Sequence, residues 1–501
     1  MRMNRLIFSS FAHAASTGFE ERRGEDRRDC RGSFRKVLAL AAATLALAHA
    51  ASAQVQFADP VAFPDVIGGG AISTAAGDLN GSGRPDIVRT RGNGILQVFS
   101  LSGSAWAAHN LSPARSGILD RYGGDTAVAD IDGDGHLDIV LPESKSGSGA
   151  AYVWWYKNPG TGSFAGWSEM NLATWSGATN APADSVNHMS DIEVADMDGD
   201  GLPDVVTRDV SQGVFIHFQN RAVVGGKTQV SWSQKFIEAF PREGLQLGDI
   251  DGDGDTDITF NGIWWRNPGG SAARGGASYD ITEQYAMTGR SPFAIDSRWY
   301  PTSDGGTLQW ATKQAVGDVN GDGRLDIVVT NAEVLGSSGN PSGKPLGAVL
   351  YLASSNPLAD PTSAAYWTAI QLETDGDDLH GVRLGDLDGD GLLDIFMANT
   401  DVGTVHRTDG KFEMIAWLNP GDDDWARSTC RQVVYSDMMY SGILVDFDDD
   451  GDLDIIGPQE WNSGKFRLFE NTVPEPATAC LLAAGLIPLL TRARRCMIAR
   501  R

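Results

Sequence analysis

One nine-residue acidic loop recurs seven times along this chain, and few folds can carry it at that frequency. The copies read DLNGSGRPD, DIDGDGHLD, DMDGDGLPD, DIDGDGDTD, DVNGDGRLD, DLDGDGLLD and DFDDDGDLD. The shared pattern, D-x-[DN]-x-[DS]-G-x-x-D, sets side-chain oxygens at positions one, three, five and nine. Those residues are Asp78, Asn80, Ser82 and Asp86; Asp130, Asp132, Asp134 and Asp138; Asp196, Asp198, Asp200 and Asp204; Asp249, Asp251, Asp253 and Asp257; Asp318, Asn320, Asp322 and Asp326; Asp386, Asp388, Asp390 and Asp394; and Asp446, Asp448, Asp450 and Asp454. Hard cations such as calcium take six to eight oxygens at short range, and alternate oxygen-bearing residues around a tight turn supply them. Position six is Gly in every copy, the residue that adopts positive φ without steric cost. Position seven has no common side chain, as suits a position that offers only its carbonyl. Up to seven calcium ions are expected. The first loop, charged only at Asp78 and Asp86, binds most weakly, and Asn320 is a milder loss.

An EF-hand shares the first half of this pattern but closes with a bidentate Glu at position twelve. Here that position holds Arg89, Leu141, Thr207, Phe260, Val329, Met397 and Gly457. Position ten is always Ile or Val, so a strand leaves the loop rather than a helix. The loop therefore joins two strands of a hairpin.

The first Asp of each copy falls at 78, 130, 196, 249, 318, 386 and 446. Repeats of this length with strand signals fit one four-stranded sheet each. A short strand ending in a small residue (Gly77, Ala129, Ala195, Gly248, Gly317, Gly385, with Val445 the exception) precedes the loop, and an apolar strand follows it. A third strand ends near an Asn, as in YVWWYKN, GVFIHFQN, GIWWRN, AVLYLASSN, MIAWLN and FRLFEN. The small residues fit strands that lie innermost, where sheets converge on an axis. The seventh repeat lacks a fourth strand and the segment VQFADPVAF (55–63) lacks a repeat, so the two are expected to pair and close a ring without open edges. Seven such units resemble the FG-GAP/VCBS repeat proteins, propellers related to integrin α-subunit heads. The resemblance implies an all-β fold over residues 54–473: a seven-bladed β-propeller of four-stranded antiparallel blades, with a calcium-binding loop between the first and second strands of each.

The formal net charge is −25, and both ends are basic, so residues 54–473 are more acidic still. Such a surface excludes nucleic acid as a partner, which needs basic patches. Without metal, each loop crowds up to four carboxylates, so fold and metal are expected to be coupled. Of the four Cys, only Cys430 lies in the acidic body, so no disulfide framework stabilises it. Residues 1–53 read as a secretory signal with a long basic lead, ending in an apolar run and A-S-A. Residues 474–501 carry Pro474–Pro476, an apolar run at 477–490 and Arg492, Arg494 and Arg495. That run is shorter than the roughly 20 residues of a full membrane span. The three parts resemble the PEP-CTERM sorting signal of exopolysaccharide-forming Gram-negative bacteria. This resemblance implies export, transient membrane anchoring and processing by an exosortase-type enzyme, with the cell surface or extracellular matrix as destination.

Residues five to eight before the first Asp of each loop are candidates for the face opposite the metal loops: Asp125, His188, Asp191, Glu243, Trp310, Lys313, His380 and Tyr440, with Arg383 slightly nearer its loop. Trp154–Trp155 and Trp264–Trp265 sit on third strands, where one Trp of each pair is expected to pack between blades. No nucleophile elbow, zincin helix or phosphate loop is present. The sequence thus favours a non-catalytic binding or adhesion module for an extracellular glycan or a surface protein. The alternative is a carbohydrate-active lyase or dehydratase, in which His188, Lys313, His380 and Arg383 converge to take a proton and neutralise a carboxylate.

Overall fold

The computed structural model describes residues 55–63, 71–91, 95–103, 105–111, 125–145, 150–176, 189–209, 213–238, 244–260, 263–275, 309–335, 347–356, 366–373, 379–400, 411–422, 424–427, 429–459 and 466–472. The secretory lead, the sorting tail, His188 and Glu243 fall outside them. Among the described residues no helix is long and apolar enough to cross a membrane.

Gln54–Pro474 forms one compact unit of seven antiparallel sheets. Six have four strands; blade four has three among the described residues, followed by a short helix, α1 (Gly270–Arg274). The innermost strands are Ala71–Gly77, Ala127–Ala129, Met189–Ala195, Gln246–Gly248, Gln309–Gly317, Leu379–Gly385 and Ile443–Val445. Each touches the innermost strand of the next blade, and the last touches the first, so the ring is closed. In the seventh sheet the outer strand is Val61–Ala62, with Val61 opposite Leu468 and Ala62 opposite Arg467.

The second strands are apolar on both faces because each blade is packed between two others. Ile139 joins Leu79 and Val88 of blade one. Its neighbour Val140 points the other way and joins Ile192 and Val205 of blade three, as alternation along a strand requires. The tryptophans of blade four follow the same rule. Trp264 packs with Ile327 and Val349 of blade five, and Trp265 with Met197 and Phe218 of blade three. Both are fully buried, so both members of this pair, not one, pack between blades. In blade two, Trp155 is buried and Trp154 is half-buried beside Tyr152.

The small residue before each loop has a steric cause. A Cβ on Gly77 would lie 2.8 Å from Val128 Cγ1 and 3.0 Å from Leu137 Cδ1 of blade two. On Gly317 it would meet Leu384 at 2.8 Å and Leu393 at 3.2 Å, and on Gly385 it would meet Leu453 at 2.6 Å and Leu444 at 2.9 Å. Val445, the exception, shares a hydrophobic cluster with Ala76 of blade one, which is smaller than the Val and Leu that face these glycines.

Candidate metal centres

Each loop turns its carboxylates with its own backbone. In loop two, Asp130 accepts from the N–H of Asp134 at 3.0 Å through Oδ1 and from that of Gly135 at 2.8 Å through Oδ2. Asp134 Oδ1 accepts from the N–H of His136 at 3.1 Å. The bond from the position-six Gly to the first Asp recurs in all seven copies at 2.8–3.0 Å. These glycines have φ between 82° and 101°. Position four is also in the left-handed region; it is Gly in six loops, and Asp449, at φ 66°, fills it in the seventh.

The ninth-position Asp is the most buried member. Its Oδ2 accepts from the N–H at position two in every loop, at 2.8–3.2 Å. In six blades its Oδ1 accepts from a backbone N–H at the end of the third strand, donated by Asn158, Gln219, Asn267, Ala353, Asn419 and Asn471, at 2.7–2.8 Å. In blade one the Asn80 side chain takes that place, at 2.9 Å. The carboxylates at positions one, three and nine are thereby drawn together. In loops two, three, four, six and seven they offer oxygens within 4.8 Å of one another. Loops one and five have Asn at position three and so lack the carboxylate there.

These residues fit a hard cation. Oδ1 of Asp249 and Oδ1 of Asp448 are buried with no hydrogen-bond donor, which is costly for a carboxylate unless a cation binds it. Burial also pushes the ninth-position carboxyls upward, only partly opposed by their backbone donors. Asp138 rises to about 6, Asp86, Asp204, Asp257 and Asp326 to about 7, and Asp394 and Asp454 to about 8. A dication held by positions one, three, five and nine would keep them ionised and clamp the innermost strand to the second.

The third-strand Asn has a role that its position alone did not reveal. Asn158 Nδ2 donates to Leu137 O in its own loop at 3.0 Å and to Leu79 O in the preceding blade at 2.8 Å. Asn267, Asn419 and Asn471 repeat this bridge. In blade three the bridging residue is Gln219 rather than the adjacent Asn220. In blade five the register falls on Ala353, not Asn356, and the side-chain bridge is lost.

On the opposite face the structure gathers a mixed-charge cluster. Asp191 is buried; its Oδ2 pairs with Arg208 Nη1 at 3.1 Å and its Oδ1 with Lys313 Nζ at 3.5 Å. Glu193, closer to its loop than the candidates named above, accepts from Gln246 Nε2 at 2.8 Å. Burial and the Asp125 carboxylate push Glu193 up to about 8, with Arg383 pulling the other way. Lys313 and Arg383 thus both act on blade-three acids. His380 is engaged elsewhere: its ring stacks on Tyr440 at 4.0 Å and its Nδ1 lies 3.1 Å from Tyr440 O.

A family model described as FG-GAP-like repeat matches residues 130–207 and 318–397. No curated protein matches the chain. Solved structures with a similar outline include BBS1N in complex with ARL6DN, at 10% identity and TM-score 0.41, covering 84% of this chain and 97% of that one. Another is the GH93 α-L-arabinofuranosidase of Fusarium graminearum with arabinobiose, at 9% identity and TM-score 0.44, covering 83% and 98%. The chain is an all-β, seven-bladed β-propeller carrying FG-GAP-like repeats.

Proposed function

We propose that this chain is an exported propeller, clamped by calcium, that serves as a non-catalytic binding or adhesion module at the cell surface or in the extracellular matrix. The supporting observation is the sevenfold recurrence of one loop geometry, with buried carboxylate oxygens left without donors in the metal-free chain. Each loop is a strand-to-strand turn whose acids point inward, the arrangement of a structural site rather than of one that holds an open position for substrate. The partner face is the opposite mouth of the ring, where Lys313, Arg383 and Asp125 offer charges of both signs to a glycan or a protein. The basic, apolar and Pro-Glu-Pro elements of the two ends support export, transient anchoring and exosortase-type processing. Elemental analysis of the purified propeller, and its melting with and without EGTA, test the clamp: bound calcium and a lower Tm on chelation are expected. Glycan-array binding with and without chelator tests the ligand.

A second reading, a carbohydrate-active lyase or dehydratase, is favoured by one observation. Glu193, with its raised pKa, feels the charge of Arg383, and Lys313 pairs with Asp191 two residues before it on the same strand, a carboxyl suited to proton transfer on a strand attended by cations suited to a substrate carboxylate. Unsaturated-product absorbance on uronate polymers tests it, and no product across them leaves the binding reading.

A further inference from the structure

The backbone bond from the third strand to the ninth Asp fixes a common register in blades two, four and seven, through Asn158, Asn267 and Asn471, each at 2.7 Å. The residue just before it therefore occupies the same place beside each loop. That residue is Lys157 in blade two, Arg266 in blade four and Glu470 in blade seven. Lys157 Nζ pairs with Asp132 and, at 2.9 Å, with Asp134. Arg266 pairs with Asp251 at 2.7 Å and Asp253 at 2.9 Å. In both loops these acids stand at positions three and five.

Blade three reaches the same end from another part of the sequence. Phe218 fills the register position, and Arg274, the last residue of α1, lies over its ring at 5.2 Å. Arg274 then pairs with Asp198 and, at 2.7 Å, with Asp200, again positions three and five. In blade seven the sign is reversed. Glu470 adds its negative charge to those of Asp446 and Asp450 around Asp448, whose Oδ1 is buried without a donor.

We infer that this side chain sets each loop's demand for a cation: Lys157, Arg274 and Arg266 are tethered counter-cations that compete with the ion in loops two to four, and Glu470 is an added carboxylate that recruits it in loop seven. The inference rests on the calcium reading above. A tethered ammonium or guanidinium already neutralises the two acids it reaches, so those loops hold their shape without metal. A dication entering them must displace or tolerate a like charge a few ångströms away. Loop seven has five carboxylates in the same space and nothing tethered on Asp448 or Asp450 among the described ion pairs. Calcium should therefore fill the ring unevenly, loop seven ahead of loops two to four.

The test is calcium titration of the whole exported chain by calorimetry, with terbium luminescence as a second readout. The variants are Lys157→Met, Arg266→Met and Arg274→Met, singly and together, and Glu470→Lys. Wild type is expected to show a tight and a weak class of sites. The triple variant should tighten the weak class by about tenfold or more while its metal-free form melts lower. Glu470→Lys should remove a tight site. A triple variant that folds only with calcium present supports the inference equally. Calcium constants within about twofold of wild type in all the Met variants overturn it while leaving the calcium reading standing. A wild-type chain that binds neither calcium nor terbium overturns that reading itself.

Discussion

Asn158 ties blade two to blade one: its Nδ2 donates to Leu79 O at 2.8 Å across the blade boundary, while its backbone N–H holds Asp138. One side chain thus satisfies the main chain of two adjacent metal loops. Replacing Asn158 by Ala leaves both carbonyl oxygens without this donor in a buried setting. Loss of about 1–3 kcal/mol is expected, read as a lower urea midpoint. An unchanged midpoint would show that the bridge adds nothing to the blade interface.

The raised carboxyl pKa values give the metal-free chain an unusual pH response. An unfolded Asp titrates near 4, whereas the buried ninth-position carboxyls titrate at about 6 to 8 without a cation. A folded pKa above the unfolded value contributes stability at low pH that is lost as pH rises through the folded value. The chelated protein should therefore melt lower at about pH 8 than at about pH 5.5. Saturating calcium should flatten or reverse that slope, because the cation favours the ionised carboxylate. Differential scanning calorimetry at both pH values, with calcium and with EGTA, measures it.

Steric pressure between innermost strands predicts a graded set of substitutions. Gly317→Val drives a branched side chain against Leu384 and Leu393 and should lose about 1–3 kcal/mol or more. Gly317→Val combined with Leu384→Ala should recover part of that loss. Thermal melts of the single and double variants decide; no recovery would place the strain elsewhere.

Asp191 and Arg208 are a buried pair, with side-chain exposures of 1% and 0%. Asp191→Ala leaves the Arg208 guanidinium buried without its partner and should destabilise the propeller by about 3–5 kcal/mol. Arg383→Ala, by contrast, should lower stability by less than about 1 kcal/mol while raising the pKa of Glu193 further. Unfolding curves and carbonyl-region NMR titration separate the two effects; equal destabilisation would count against this division.

The blade count and the acidic loops were legible because the loop is a short local motif that needs no partner to be recognised. The small residues at Gly77, Gly317 and Gly385 were legible as convergence on an axis. Their actual neighbours, a Val or Leu and a second Leu from the next blade, required the packing to be seen. The Asn bridges were visible only as a recurring letter. Blades three and five show why: the register, not the nearest Asn, selects Gln219 and Ala353. Glu193 lies nearer its loop than the residues the sequence offered as candidates, and Arg208 stands directly opposite Asp191 on the adjoining strand, a pairing that only the register reveals. The positive φ of Asp449 was hidden by a side chain in a position where the other loops have glycine.

The pairing of Val61–Ala62 with Phe466–Phe469 has a consequence for biogenesis. The fastening strand is made before the other strands of the ring and its mate after them. A nascent chain thus carries an unmatched edge through the whole of its synthesis, and a premature stop anywhere before blade seven yields an unsealed product with two sticky margins. Sealing of the ring therefore waits until the seventh blade has been made.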